Sequence, residues 1–153
     1  MRLWHYELLP YLPKSQLLSQ KRECDLIWKD IANGKKTNHI LINYIWEYED
    51  YLKELSIYYW LLKEEFNKRG FKFNFSNNFV TKNVFYGYGY KPFDKHHNNR
   101  YLLQCFYNLQ EKFDRNQRDF DKETYLKLEN FIREKWLLDR KEIKLWKFIV
   151  IVE

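Results

Sequence analysis

Residues 42–70 read INYIWEYEDYLKELSIYYWLLKEEFNKRG, and this stretch decides the fold class. Ile42, Ile45, Tyr48, Leu52, Leu55, Tyr59, Leu62 and Phe66 recur every three or four positions, the spacing that gathers side chains on one face of an α-helix. The stripe predicts one continuous helix of roughly seven turns. Lys68 and Arg69 complement the negative end of its dipole, and Gly70 supplies a left-handed residue to end it. An aromatic stripe at this spacing is read as core packing.

Upstream, Leu17, Cys24, Trp28 and Ile31, widened by Leu18 and Ile27, predict a helix from about Pro13 to Ala32, stopped at Asn33-Gly34. Met1 to Leu12 has no convincing helical period and reads as an extended N-terminal arm. Downstream, Phe71, Phe73 and Phe75 alternate with polar residues before Ser76-Asn77-Asn78, a pattern compatible with a short hairpin returning through Phe79 to Tyr86. Residues 85–93, with glycines among Tyr86, Tyr88 and Tyr90, read as a flexible aromatic-rich loop. A third helix is expected from Asn99 to Asp114 on Tyr101, Leu102, Cys105, Phe106, Leu109 and Phe113, capped by Asn98 or Asn99. A fourth is expected from Lys122 to Leu138 behind Asp121, on Tyr125, Leu128, Phe131, Ile132 and Trp136. The run Phe148 to Val152 suits a buried C-terminal strand or a docked terminal segment. The expectation is a mostly α, single compact domain of three to four helices spanning 1–153.

Composition narrows the partners. The chain of 153 residues carries 27 Lys and Arg against 21 Asp and Glu, a net charge of +6 that favours an anionic partner. Aromatic residues reach 20%, and aromatic faces stack on unpaired bases, although an AT-rich genome would enrich Tyr, Phe and Lys without any selection for binding. Cys24 and Cys105 do not make a disulfide framework, and nothing in the first 25 positions has a signal-peptide layout. No apolar run approaches the ~20 residues that span a bilayer. The expectation is a soluble, cytoplasmic monomer with no membrane partner.

The residues able to carry chemistry are few. Arg22-Glu23 sits on a polar face of the first helix, and taken alone such a face is ordinary solvated surface. Arg2, Lys21, Arg22, Lys29, Lys35, Lys36, Lys68, Arg69 and Lys112 are able to line a DNA groove. Tyr86, Tyr88 and Tyr90 suit either stacking on a flipped base or packing onto the core. His5, His39, His96, His97, Cys24 and Cys105 lack zinc-ligand spacing, so no metal is expected, and no glycine-rich phosphate loop or other cofactor motif occurs.

The order of several short motifs adds a resemblance. Met1-Arg2-Leu3-Trp4-His5, then Leu17 to Cys24, Ala32-Asn33-Gly34-Lys35-Lys36, Asn43-Tyr44-Ile45 and Asn67-Lys68-Arg69-Gly70-Phe71 resemble the pyrimidine-dimer DNA glycosylase family, typified by a phage endonuclease. A weaker likeness at His97, Tyr101-Leu102 and Asn108-Leu109 carries it over roughly 1–113, leaving 114–153 as an extension of unassigned role. The resemblance implies a helical protein that acts on damaged double-stranded DNA and flips a nucleotide out of the duplex. It implies abasic-site lyase activity through a Schiff base on the N-terminal amine, with Glu23 as the partner acid and Arg22 on phosphates.

In the phage enzyme the initiator is removed. Here the bulky Arg2 follows Met1, which normally prevents removal, so the implied nucleophile is the amine of Met1, with Arg2 as a phosphate-facing residue. Gln16 stands where the phage enzyme has a histidine. His97 or His5 is implied to lie near the site, and the repair role implies nucleoid association during action. Chemistry supports the choice of an amine: α-amines in model peptides titrate near about 8, whereas lysine needs a large shift to become nucleophilic at neutral pH. The alternatives are a basic nucleic-acid-binding protein of the same fold without chemistry, and an RNA-interaction protein using the aromatic loop.

Overall fold

The computed structural model describes residues 1–79 and 90–139, with side chains described as far as 135. Four α-helices form the frame: α1 (Lys14–Ala32), α2 (Tyr51–Lys68), α3 (Asn99–Asp114) and α4 (Lys122–Asp139). Two short 3₁₀ helices, Tyr6–Tyr11 and Asn43–Glu47, precede α1 and α2. No strand occurs among the described residues. The expected mostly helical architecture holds, and residues 71–79 show no strand of the expected hairpin. The hairpin's return, Tyr86 and Tyr88, and the C-terminal run 148–152 lie outside the described residues.

The helix ends follow their local chemistry. Asn98 accepts the Tyr101 N–H at 3.0 Å and Asp121 accepts the Thr124 N–H at 2.7 Å, each side chain satisfying a backbone donor that the helix leaves orphaned. Gly34 and Gly70 take φ of 72° and 74°, the left-handed conformation that a side chain would strain.

Two expectations are corrected. The helix read as continuous from Ile42 is broken: Asn43–Glu47 is 3₁₀, and Asp50 restarts the chain by capping Lys53 N at 3.2 Å. The reason is visible in the spacing. Ile42, Ile45 and Tyr48 recur at intervals of three, the 3₁₀ repeat, while Leu52, Leu55, Tyr59, Leu62 and Phe66 alternate three and four, the α repeat. The break turns Tyr44 inward, where it is buried.

The extended N-terminal arm is the second correction. Leu3, Trp4, His5, Leu8, Leu9 and Leu12 are all buried, so the chain's opening is a central piece of the core. Its apolar content is what drives it there; a 3₁₀ turn rather than an α-helix is what accommodates Pro10. Arg69 holds this segment from α2, donating to the carbonyls of Leu9 and Pro10 at 3.2 and 3.1 Å while paired with Glu65 at 2.7 Å. On the far side Tyr11 stacks on Phe131 of α4, and Lys135 binds Glu7 at 2.7 Å. One hydrophobic cluster runs from Leu3 through Trp28, Tyr58 and Leu109 to Ile132, so the part of α4 whose side chains are described packs into the same core.

Two imidazoles stiffen this core. His5 Nδ1 accepts from Glu7 N at 3.1 Å, so its Nε2 carries the proton and donates to the His97 carbonyl at 2.8 Å. His97 Nδ1 accepts from Tyr6 N at 3.2 Å, leaving Nε2–H for the Tyr44 hydroxyl at 2.8 Å. Both rings are therefore neutral, and burial pushes His97 well below its ordinary value and His5 down to about 4. Unfolded histidines take up protons near about 6.5, so between that pH and about 4 the unfolded chain binds more protons and stability is lost as pH falls. Denaturant unfolding at pH 7 and pH 4.5 should show a loss of about 2 kcal/mol or more from His5 alone. Equal stability at the two pH values would contradict the neutral pair.

Candidate active site

The site begins with two residues one turn apart on α1. Gln20 is buried and Glu23 half-buried, so the polar face of this helix is turned toward protein and not wholly toward water. Gln20 Oε1 accepts the Trp4 N–H at 2.6 Å and, at 2.9 Å, shares the single Tyr58 hydroxyl proton with the Trp4 carbonyl. Its Nε2 donates to the Arg2 carbonyl at 2.8 Å and to Glu23 Oε2 at 3.0 Å. All four hydrogen-bonding positions of one amide are filled, which leaves it a single orientation. The same Glu23 oxygen also accepts the Arg2 N–H at 3.3 Å.

Other helices complete the clamp. Tyr58 of α2 donates to the Trp4 carbonyl at 2.7 Å, and Tyr101 of α3 donates to the Leu3 carbonyl. Residues 2–4 are thus held along their backbone by side chains from α1, α2 and α3. Side-chain packing alone would fix them far less tightly, because a buried peptide group without a partner costs about 1–3 kcal/mol.

Burial raises the Glu23 pKa above the ordinary glutamate value; the Arg2 N–H, the charge of the N-terminal amine, the Gln20 amide and His39 each pull it partly back. A carboxyl poised upward in this way exchanges a proton more readily near neutral pH than an exposed one does. The N-terminal amine and His39 therefore lie within electrostatic reach of Glu23.

The expected nucleic-acid contacts are placed unevenly. Arg22 is exposed, its guanidinium 2.9 Å from Ser19 Oγ, and Lys35 and Lys36 are exposed beyond the end of α1. Lys21 is compensated by Asp25 at 2.7 Å and sits 5.0 Å from the centre of the Phe73 ring, so its charge is already engaged. The Arg2 guanidinium lies 5.7 Å from the Trp4 ring and its charge acts on Cys105 and Tyr101, which directs it along α3. Lys112 sits two turns beyond Cys105, in the last turn of α3. Tyr90 is exposed, its hydroxyl 3.4 Å from Lys53 Nζ. His97 does not line an open site: it is buried with both ring nitrogens engaged, and it braces Tyr6 and Tyr44 from behind. Gln16, one turn before Gln20, pairs with Gln117 at 2.9 Å and takes no part in the clamp. Among the described residues no group of three or more His, Cys, Asp or Glu is arranged to hold a metal ion. No described helix is long and apolar enough to cross a membrane.

Several site residues escape the sequence reading: Gln20, Tyr58, Tyr101 and His39. A glutamine beside a glutamate on a polar helix face carries no mark of burial, and Tyr58 is adjacent to Tyr59, which already fills the stripe.

The sequence model of the pyrimidine dimer DNA glycosylase family matches residues 1–78, of 153 in the chain. The chain belongs to that family. No curated protein and no solved structure matches it. The matched region contains Met1, Gln20, Glu23 and Tyr58, whereas Tyr101 and His97 lie beyond it. The part of the chain outside the match therefore supplies two of the groups that fix residues 3–6.

Gln20→Leu keeps the volume and removes all four hydrogen bonds, stranding the Trp4 N–H and the Arg2 carbonyl. Urea unfolding should show a loss of about 3 kcal/mol, while Gln16→Leu, at the half-exposed pair, should lose less than about 1 kcal/mol. Equal losses would remove Gln20 from its central place.

Proposed function

We propose that this protein excises damaged bases from duplex DNA and then cleaves the abasic strand, with the α-amine of Met1 as nucleophile and Glu23 as acid and base. The observation that carries the reading is the Glu23 carboxylate accepting the Arg2 N–H while Gln20 ties it to the Arg2 carbonyl, one residue from the amine.

The amine's lone pair forms a bond to C1′ of the flipped nucleotide, and the C1′–N glycosidic bond breaks with its electron pair leaving on the base, which takes up the proton that the substituted amine sheds. Glu23 in its protonated form delivers a proton to the sugar ring oxygen as the ring opens, giving an iminium at C1′. The carboxylate so formed takes the 2′ proton, which the iminium has acidified, and the 3′ phosphate leaves by β-elimination. Water then hydrolyses the iminium and returns the free amine. A half-buried carboxyl with a raised pKa suits both directions of transfer. Arg22, Lys35 and Lys36, all exposed, suit phosphate contacts. A pyrimidine dimer, already distorted, lowers the free energy needed to leave the stack.

Borohydride added during reaction with abasic duplex should trap a covalent adduct through Met1. Glu23→Gln should reduce turnover by about 100-fold or more with affinity little changed. Acetylating the N-terminus should abolish trapping. An adduct that survives acetylation, or its absence with the unmodified protein, would reject the mechanism.

A further inference from the structure

In the loop that follows α1 the surface carries an apolar projection that neither the core nor the chemistry uses. Ile40 is 87% exposed, the most exposed of the large apolar residues described, with Leu41 at 38% beside it. A lone exposed apolar side chain means little. Three observations set this one apart.

The turn that presents it is rigid. His39 N donates to Asn43 Oδ1 at 2.9 Å, Leu41 N to His39 Nδ1 at 3.2 Å, and the N–H groups of Ile42 and Asn43 both reach the His39 carbonyl at 2.9 Å. Asn43 is itself held by Asn38 at 3.0 Å. A β-branched side chain on such a turn has few rotamers, so Ile40 stands in the solvent as a fixed wedge.

Its position is also set. Thr37 at the base of the loop binds Asp30 at 2.6 Å, and Trp46 Nε1 donates to the Thr37 carbonyl at 2.9 Å. Asp30 lies two turns from Glu23 on the same side of α1, and Leu26, 52% exposed, lies one turn from it. His39, directly before the wedge, acts electrostatically on Glu23.

Exposed cations precede it in the chain. Arg22 and Lys29 on α1, and Lys35 and Lys36 in the following loop, are exposed. An apolar tip that follows exposed cations along the chain is complementary to a partner with anionic edges and an apolar interior, which describes the DNA duplex.

We propose that Ile40 is an unstacking wedge: it enters the base stack next to the lesion, parts one base step and so helps expel the nucleotide that Glu23 and the N-terminus then meet. This rests on the DNA-repair reading of the neighbouring site. It adds an apolar contact whose strength does not depend on counterion release, so it is separable from the lysines by salt.

The test uses a duplex with a non-cleavable tetrahydrofuran abasic analogue and 2-aminopurine in the adjacent pair, so that no chemistry is required. The protein should raise 2-aminopurine fluorescence about threefold or more, as for an unstacked base; Ile40→Ser should bring the signal close to that of free duplex, and Ile40→Phe should restore it. The slope of log affinity against log salt should be the same for all three proteins. On single-stranded abasic DNA, which has no stack to open, Ile40→Ser should form the borohydride adduct at the unmodified rate. Full unstacking by Ile40→Ser, or a salt slope that changes with it, would overturn the wedge. Failure of the adduct in every protein with the fluorescence pattern intact would instead reject the chemistry and leave the wedge standing.

Discussion

The buried amide of Gln20 joins two things that the rest of the molecule serves: the backbone of residues 2–4 and the carboxylate of Glu23. Neither is stable where it is without the other. The peptide groups of Arg2 and Trp4 would be stranded in the core without side-chain partners, and Glu23 would be a half-buried carboxylate with little to offset its lost hydration. One amide in one orientation satisfies both, and it brings a chain end that is usually mobile into fixed geometry.

The helices read as a scaffold for that contact. α1 carries Gln20 and Glu23, α2 delivers Tyr58, and α3 delivers Tyr101. The two neutral histidines and Arg69 hold the next residues, so the opening dozen positions are pinned by polar groups at nearly every step. Pre-organisation of this kind is what an amine nucleophile at a chain terminus needs. It has no side-chain rotamer to restrict, so its position depends wholly on the backbone behind it.

Much of this framework was legible in the residues. The stops at Gly34 and Gly70 and the caps at Asn98 and Asp121 follow from local chemistry that tertiary contacts did not override. The spacing by threes at Ile42, Ile45 and Tyr48 held the break before α2, but three-residue intervals also fit an α-helix, and only the cap at Asp50 separates the two. The N-terminal segment was misread because it lacks an α period, although its leucines are apolar enough to demand burial. Glu23 as a site residue came from resemblance and not from its helix face, which resembles solvated surface. Gln20, Tyr58 and Tyr101 were illegible for a different reason: their role exists only where three distant segments meet around peptide groups that sequence does not display. The engagement of Lys21 by Asp25 shows the same limit for charge, since net charge does not reveal which cations remain free.

The central claim is that the chain's first amine and the Glu23 carboxyl are electrostatic neighbours in a partly dehydrated setting. Carbon-13 NMR titration of Glu23, with the N-terminus free and then acetylated, tests it most directly. The carboxyl should titrate above the ordinary glutamate value in the free protein and shift further upward once the positive charge is removed. A Glu23 that titrates as in a model peptide, and is indifferent to acetylation, would contradict it.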